Sequence, residues 1–196
     1  MADLCVVCGN ATLTEQIVSL AIVHGGHQGE IEDLQTICTS CGNVSYVGDQ
    51  VSRHELAVAA KIRDMEGLLS AEELRRIRLK YAFRQTDLEA MLSIGPKTWT
   101  RWERGKVPQS KAADTLIRVL AEDPEVARRL MNQAGIENGA AADVFARIDE
   151  DMRRLAVANL SAQIGAGMLE EDVGRVAARA IDAVRAARLE QGAKAA

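Results

Sequence analysis

The sequence predicts a mostly α-helical protein with a small β-hairpin domain at its N-terminus, five helices in a helix-turn-helix pattern behind it, and a helical C-terminal extension. Composition is the first observation behind this reading. Apolar residues make up 47% of the 196 positions but aromatics only 3%, so any core is built from Ala, Leu, Val and Ile, as in helical proteins rather than β-sandwiches. The second is the placement of all four cysteines, as Cys5-x-x-Cys8 and Cys38-x-x-Cys41. The third is a run of helix start and stop signals between residues 70 and 135.

Two cysteines separated by two residues turn both sulfurs toward one ion, and a second such pair completes a tetrahedron. That donor set suits Zn²⁺, whose charge the thiolates neutralise and whose filled d-shell accepts four-coordination. Cys5, Cys8, Cys38 and Cys41 are therefore the expected ligands of one structural zinc ion per chain. Gly9 and Gly42, directly after Cys8 and Cys41, are expected to let backbone N–H groups point at the sulfurs. The 29 residues between the pairs read as a hairpin: an apolar run over 15–24, a Gly25-Gly26 turn, and a return over 31–38. His24 and His27 flank the turn and read as solvated turn residues rather than further ligands. So small a domain has little core, and its folding is expected to depend on the metal.

Residues 47–69 read as a helical linker that sets spacing. Ser52 with Glu55 fits a capping box there, and Gly67 loosens its end. Ser70-x-x-Glu73 is a second capping box and opens a helix through Leu74, Ile77 and Tyr81. A helix from Gln85 ends near Leu92, and a short turn leads to a helix over 96–104, with Pro96 at its first position and Gly105 as its left-handed cap. Two short helices, a tight turn and a basic second helix form a helix-turn-helix. A fourth helix starts at Ser110, and a fifth runs from Asp123-Pro124 to about Gly135. Residues 135–142 read as a joint, and beyond it apolar residues recur at three and four as two Ala-rich helices broken near Gly165-Ala166-Gly167. The expected domains are thus 1–46, 47–69, 70–136 and 137–196.

These residues carry a resemblance. The string from Arg84-Gln85-Thr86 through Leu92 to Thr98-Trp99-Thr100-Arg101-Trp102-Glu103-Arg104-Gly105 resembles the Cro/C1-type (XRE) helix-turn-helix. Placed behind paired Cys-x-x-Cys units, with Gln109-Ser110, Ala112-Ala113-Asp114, Leu116-Ile117 and Leu120 following, it resembles the MqsA-type (YgiT-type zinc finger) antitoxins over roughly residues 5–135. The resemblance implies a zinc-binding, toxin-interacting domain and a dimeric helix-turn-helix that represses its own operon in the bacterial cytoplasm. Two positions depart from the helix-turn-helix pattern. Glu89 stands where a small residue lets the helices cross, with Ala90 expected to take that role instead, and Ser93 stands where a turn glycine takes positive φ.

On the recognition helix, Lys97, Thr98 and Arg101 share a face and are the candidate base readers. An arginine there forks onto guanine O6/N7, and a threonine touches a thymine methyl or a phosphate; the bland reading of Arg101 is a salt bridge with Glu103 or a phosphate clamp. Lys97 stands where the family often has a shorter polar residue, so a phosphate is its alternative contact. Arg84, Gln85, Thr86, Lys106 and Lys111 are candidate phosphate contacts, as is Trp102 through its N–H. Trp99 is expected in the core.

Charge supports this division. Residues 1–69 carry net −6 (3 basic against 9 acidic), residues 70–118 net +5 (11 against 6), and residues 119–196 net −3 (10 against 13). Only the middle segment attracts a phosphate backbone. No Lys or Arg occurs before Arg53, so the metal domain suits a small basic toxin rather than DNA. No apolar run is long enough to span a membrane and no signal-like N-terminus is present, so a cytoplasmic protein is expected. The leading functional expectation is a homodimeric antitoxin that binds double-stranded operator DNA; the alternative is a stand-alone zinc-containing regulator without a toxin. An enzyme is disfavoured, because all four cysteines are used and no His/Glu pair flanks them with catalytic spacing.

Overall fold

The computed structural model describes residues 4–164, 172, 174–179 and 181–182. The chain divides into two compact units, Met1–Ile136 and Glu137–Ala196. It is mostly helical, with a small antiparallel sheet at its N-terminus.

Strands β1 (Leu13–His24) and β2 (His27–Cys38) form the hairpin, with His24 opposite His27 and Leu13 opposite Cys38. Gly25 and Gly26 make the turn at φ 54° and 81°, conformations that favour glycine. A third strand absent from the sequence reading, β3 (Val44–Ser45), pairs with Thr36 and Ile37, giving the order β1-β2-β3. The register puts Ile17, Ser19, Ala21 and Val23 on one face with Leu34, Glu32, Glu30 and Gln28 opposite them. Ile31 and Asp33 lie on the other face and are buried.

Helix α1 (Gln50–Glu66) covers that second face. A Cβ on Gly29 would meet the end of the Lys61 side chain, which places α1 directly over this strand. The helix starts at Asp49 with no side-chain cap, which corrects the capping box expected at Ser52 and Glu55. Ser52 lies inside the helix. The true start is fixed by Gln50, which is buried; its side chain accepts from Thr36 Oγ1 (3.0 Å) and donates to Glu15 (2.8 Å). Gly67 is no loose joint but the left-handed C-cap, returning its N–H to the Asp64 carbonyl.

Five helices follow within the same unit: α2 (Ala71–Lys80), α3 (Gln85–Met91), α4 (Thr98–Glu103), α5 (Lys111–Glu122) and α6 (Pro124–Gln133). Their starts obey local chemistry. Ser70 and Glu73 form the reciprocal capping box, Ser110 caps α5, and Asp123 caps α6 with Pro124 beside it. Leu74, Tyr81, Leu88, Trp99, Ile117 and Leu120 form a core with no exposed surface, and the Tyr81 hydroxyl donates to the Leu120 carbonyl (3.1 Å).

In the second unit α7 (Gly139–Ile164) is a single helix. The joint expected over 135–142 is shorter than that, because Asn138 Oδ1 accepts the Ala141 N–H (3.2 Å) and residues 139–142 are already helical. Met152 and Leu155 are exposed on it. The break expected at Gly165-Ala166-Gly167, and the apolar repeats at Val173, Ala180, Val184 and Leu189, lie outside the described residues. No helix among the described residues is long and apolar enough to cross a membrane.

Candidate metal centre and nucleic-acid interface

The two cysteine knuckles share one backbone design. In the first, Cys5 N–H donates to Asn10 O (2.9 Å) and Gly9 N–H to Cys5 O (2.8 Å); in the second, Cys38 N–H donates to Asn43 O (2.9 Å) and Gly42 N–H to Cys38 O (2.8 Å). Gly9 and Gly42 both adopt positive φ, 74° and 72°. Their amides thus close the turns rather than serving the sulfurs. The amides that do serve sulfur come from Val7 and Cys8 at Cys5, from Ser40 and Cys41 at Cys38, and from Asn43 at Cys41.

All four sulfurs lie within 4.8 Å of one another. Cys5 to Cys41 is 3.7 Å and Cys8 to Cys38 is 3.6 Å, close to the ~3.8 Å edge of a tetrahedron with zinc–sulfur bonds of about 2.3 Å. These separations are far beyond the roughly 2.05 Å of a disulfide, and all four cysteines are free. The thiols titrate against one another. The Thr12 hydroxyl, 3.4 Å from its sulfur, is the main cause holding Cys38 down to about 6. At Cys41 the Asn43 amide acts to lower the value, but burial and the other three sulfurs push it up to about 12. Four thiolates this close need a cation among them, and a dication with tetrahedral preference fits the set. The cluster is a structural zinc site, and among the described residues no histidine or carboxylate joins it. Thr12, which also reaches Ser40 Oγ (2.8 Å), has no signal in the sequence.

The second site is built around α4. Its buried face holds Trp99 and Trp102, ring centroids 5.8 Å apart at 59°. Trp102, a candidate phosphate contact through its N–H, is buried. The turn before α4 contains two residues with side chains at positive φ, Ser93 at 52° and Lys97 at 62°. Ser93 thus takes the conformation expected of a turn glycine. Lys97 is the N-cap, and the helix begins at Thr98; Pro96 lies before it, not at its first position.

Glu89 explains how α4 starts without a local cap. Its buried carboxylate accepts the Trp99 N–H (3.1 Å) from across the turn, placing negative charge at a helix N-terminus. Ala90 is exposed and does not take the crossing role expected of it. At the other end Glu103 accepts from Arg78 Nε (2.6 Å), Gln85 Nε2 (2.7 Å) and Trp99 Nε1 (2.7 Å). Arg101 therefore makes no salt bridge with Glu103.

The candidate DNA residues separate into two groups. Lys97 and Arg101 are exposed, Thr98 is half-buried, and Arg104, missed in the sequence, continues their face at spacings of four and three. Among the described residues Lys97, Arg101, Arg104 and Lys106 have no carboxylate partner. Thr86 is also exposed. The others are engaged within the chain. Arg84 pairs with Asp87 (3.0 Å) and Lys111 with Glu66 (2.7 Å). The Gln85 amide bridges Glu103 and the Thr100 hydroxyl, which donates to it at 2.7 Å.

No curated protein matches the chain. The family model described as the antitoxin component of bacterial toxin-antitoxin system, MqsA, matches residues 3–131. The match covers most of the first unit in one stretch, from the first cysteine knuckle into the last turn of α6, and the chain belongs to the MqsA family of antitoxins.

Proposed function

We propose that this antitoxin is a DNA-binding autorepressor. It reads a palindromic operator as a homodimer through α4 and captures a small basic toxin on its metal-bearing sheet. The observation that carries the DNA half is the row Lys97, Arg101, Arg104 and Lys106, exposed and unneutralised in the one segment of net positive charge. Helices α3 and α4 with the turn between them are the helix-turn-helix, and α4 is the element that enters the major groove. Arg101 reads a base edge and Thr98 supports it. Lys97 stands at the entry, with a base or a phosphate within its reach. Thr86, Lys106 and the N-terminus of α3 face phosphates. Arg84, Gln85 and Lys111 contact phosphate only where their present internal partners allow, and Trp102 only where its burial leaves the indole N–H within reach. Leu116 and Val119, exposed three apart on α5, supply an apolar face for a second copy, whose half-site lies about 34–36 Å away.

Arg101→Ala is expected to weaken operator binding by roughly 1–3 kcal/mol and to relax specificity at one base pair. Fluorescence anisotropy against the operator, single-base variants and random duplex at fixed salt checks this. Equal loss on all three duplexes makes Arg101 a phosphate contact only.

The toxin half rests on the uncovered face of the sheet. Ile17 and Val23 are exposed there, with Glu30 and Glu32 beside them, and no Lys or Arg precedes Arg53. An apolar patch rimmed by acids steers and holds a basic partner. The chain acts as a regulator, without catalysis. Affinity purification of the tagged chain from its host at moderate salt is expected to bring down a stoichiometric small basic protein. An Ile17→Lys, Val23→Lys double variant, which leaves the α1-covered face intact, is expected to lose it. Retention by that variant places the toxin elsewhere; a purification yielding DNA and no protein favours a regulator without a toxin.

A further inference from the structure

Helix α1 touches both the metal-bearing sheet and the exit of α4. On the sheet side, His54 Nδ1 lies 3.0 Å from Asp33 Oδ1, and Gln50 accepts from Thr36, two residues before the ligand Cys38. On the other side, Arg63 in the last turn of α1 donates through Nη1 to the Gly105 carbonyl (3.1 Å) and through Nη2 to the Val107 carbonyl (2.5 Å). Gly105 follows the C-cap Arg104 directly, so these bonds fix where α4 ends. Leu56 of α1 adds a contact there: a Cβ on Gly105 would lie 3.6 Å from its Cδ2.

Arg63 is unusual among the cations of this chain. It is buried at 6% exposure, its Nε has no partner, and among the described residues no carboxylate pairs with it. A buried guanidinium held only by carbonyls has no ion-pair attraction to offset its desolvation, so it is a weak source of stability. What two directed bonds from one rigid fork do supply is geometry. They set the exit of α4, and with it the row of Arg101, Arg104 and Lys106, from a helix whose other face lies on the zinc-bearing sheet. Lys111 with Glu66 (2.7 Å), and Arg118 Nη2 donating to Gly67 O (3.0 Å), fasten α5 to the same end of α1.

We propose that Arg63 is a positioning residue that couples the folded, metal-loaded state of the sheet to the orientation of α4, so that operator affinity depends on zinc bound at the cysteine cluster. This rests on the DNA-binding reading above. The coupling itself is a property of the free protein and is visible without DNA. The path runs from Cys38 through β2, Gln50 and His54 into α1, and from Arg63 into the Gly105–Val107 carbonyls.

The test uses the full-length chain, zinc-loaded and chelator-stripped, as wild type, Arg63→Met and Arg63→Lys. Amide hydrogen exchange at Gly105 and Lys106 is read by NMR, and operator affinity is read alongside it. In the wild type, stripping zinc is expected to speed exchange at both amides and to weaken operator binding about tenfold, within the usual range of site-to-site coupling. Arg63→Met is expected to show the faster exchange already with zinc bound, and to lose less than about threefold in operator affinity on stripping. Arg63→Lys, which keeps the charge but serves one carbonyl at a time, is expected to fall between them, and it carries the comparison if the Met variant does not fold. Wild-type exchange in zinc-loaded Arg63→Met, or exchange in the wild type that is indifferent to zinc, overturns the coupling while leaving operator binding intact. Coupled exchange in a chain that binds no operator upholds the mechanical link and sinks the DNA-binding reading instead.

Discussion

Chelating the metal, or replacing Cys38 with serine, is expected to unfold β1, β2 and β3 while the helices from Ala71 to Gln133 keep their core. Ile31, Ala59, Cys5 and Cys38 are the apolar residues buried around the sheet, and much of the rest of its interior is polar. Asp33 accepts from the Tyr46 hydroxyl (2.6 Å) and from Gln35 (2.7 Å), an arrangement that fixes geometry more than it stabilises. Structural zinc contributes about 10–16 kcal/mol in small metal domains at neutral pH, as much as the whole stability of an ordinary domain. Metal analysis is expected to find one zinc per chain. Amide exchange across β1 and β2 should collapse on chelation, with protection retained in α2 and α5. Protection of the sheet that survives stripping would show that α1 alone holds it together.

Replacing Glu103 with alanine is expected to cost about 3–5 kcal/mol, the range for breaking a buried ion pair by removing one partner. The variant strands the Arg78 guanidinium, only 16% exposed, together with the Gln85 amide and the Trp99 indole N–H. It also frees the C-terminal turn of α4, so on the proposed DNA-binding reading operator affinity should fall although the Glu103 side chain is buried. Urea titration monitored by tryptophan fluorescence measures the loss, and a change below about 1 kcal/mol would mean that solvent replaces the lost carboxylate. Burial acts to raise the Glu103 carboxyl, but the Arg78 bonds, then Gln85 and Trp99, outweigh it and hold the group below its ordinary value. Its contribution is therefore fully present above the unfolded value near 4.3 and is lost as pH falls through the folded one. The stability gap between the wild type and Glu103→Gln should accordingly narrow as the pH falls below the ordinary carboxylate range.

Legibility in the sequence follows the range of the interaction. Ser70 with Glu73, Ser110 and Asp123-Pro124 mark helix starts correctly because each cap closes within three residues. Ser93 at positive φ follows from the turn in which it sits. The cysteine spacing carries the metal centre, since two knuckles with identical turn geometry need only be brought together. Ser52 and Glu55 show how the same logic misleads. Their spacing is that of a capping box, but the helix has already begun at Gln50, which is fixed by Thr36 from another strand.

What the sequence by itself determined is the hairpin, the order of the helices behind it, the zinc ligands and the basic stretch that holds α4, all of which depend on bonds spanning a few residues or on composition; the short β3 was not among them. What only the tertiary structure decided is which charges stay free. Glu89 and Glu103 read as an intruder at a helix crossing and a partner for Arg101. In the fold they hold the N-terminus of α4 and a buried hub with Arg78, leaving Arg101 without a carboxylate partner among the described residues. Arg63 carries no signal in the sequence beyond its place on a helical linker, yet it is buried against carbonyls more than forty residues away. The physical reason is that a long side chain's partner depends on which elements cross above it, and in a low-dielectric interior that choice outweighs any pairing its neighbours in sequence could offer.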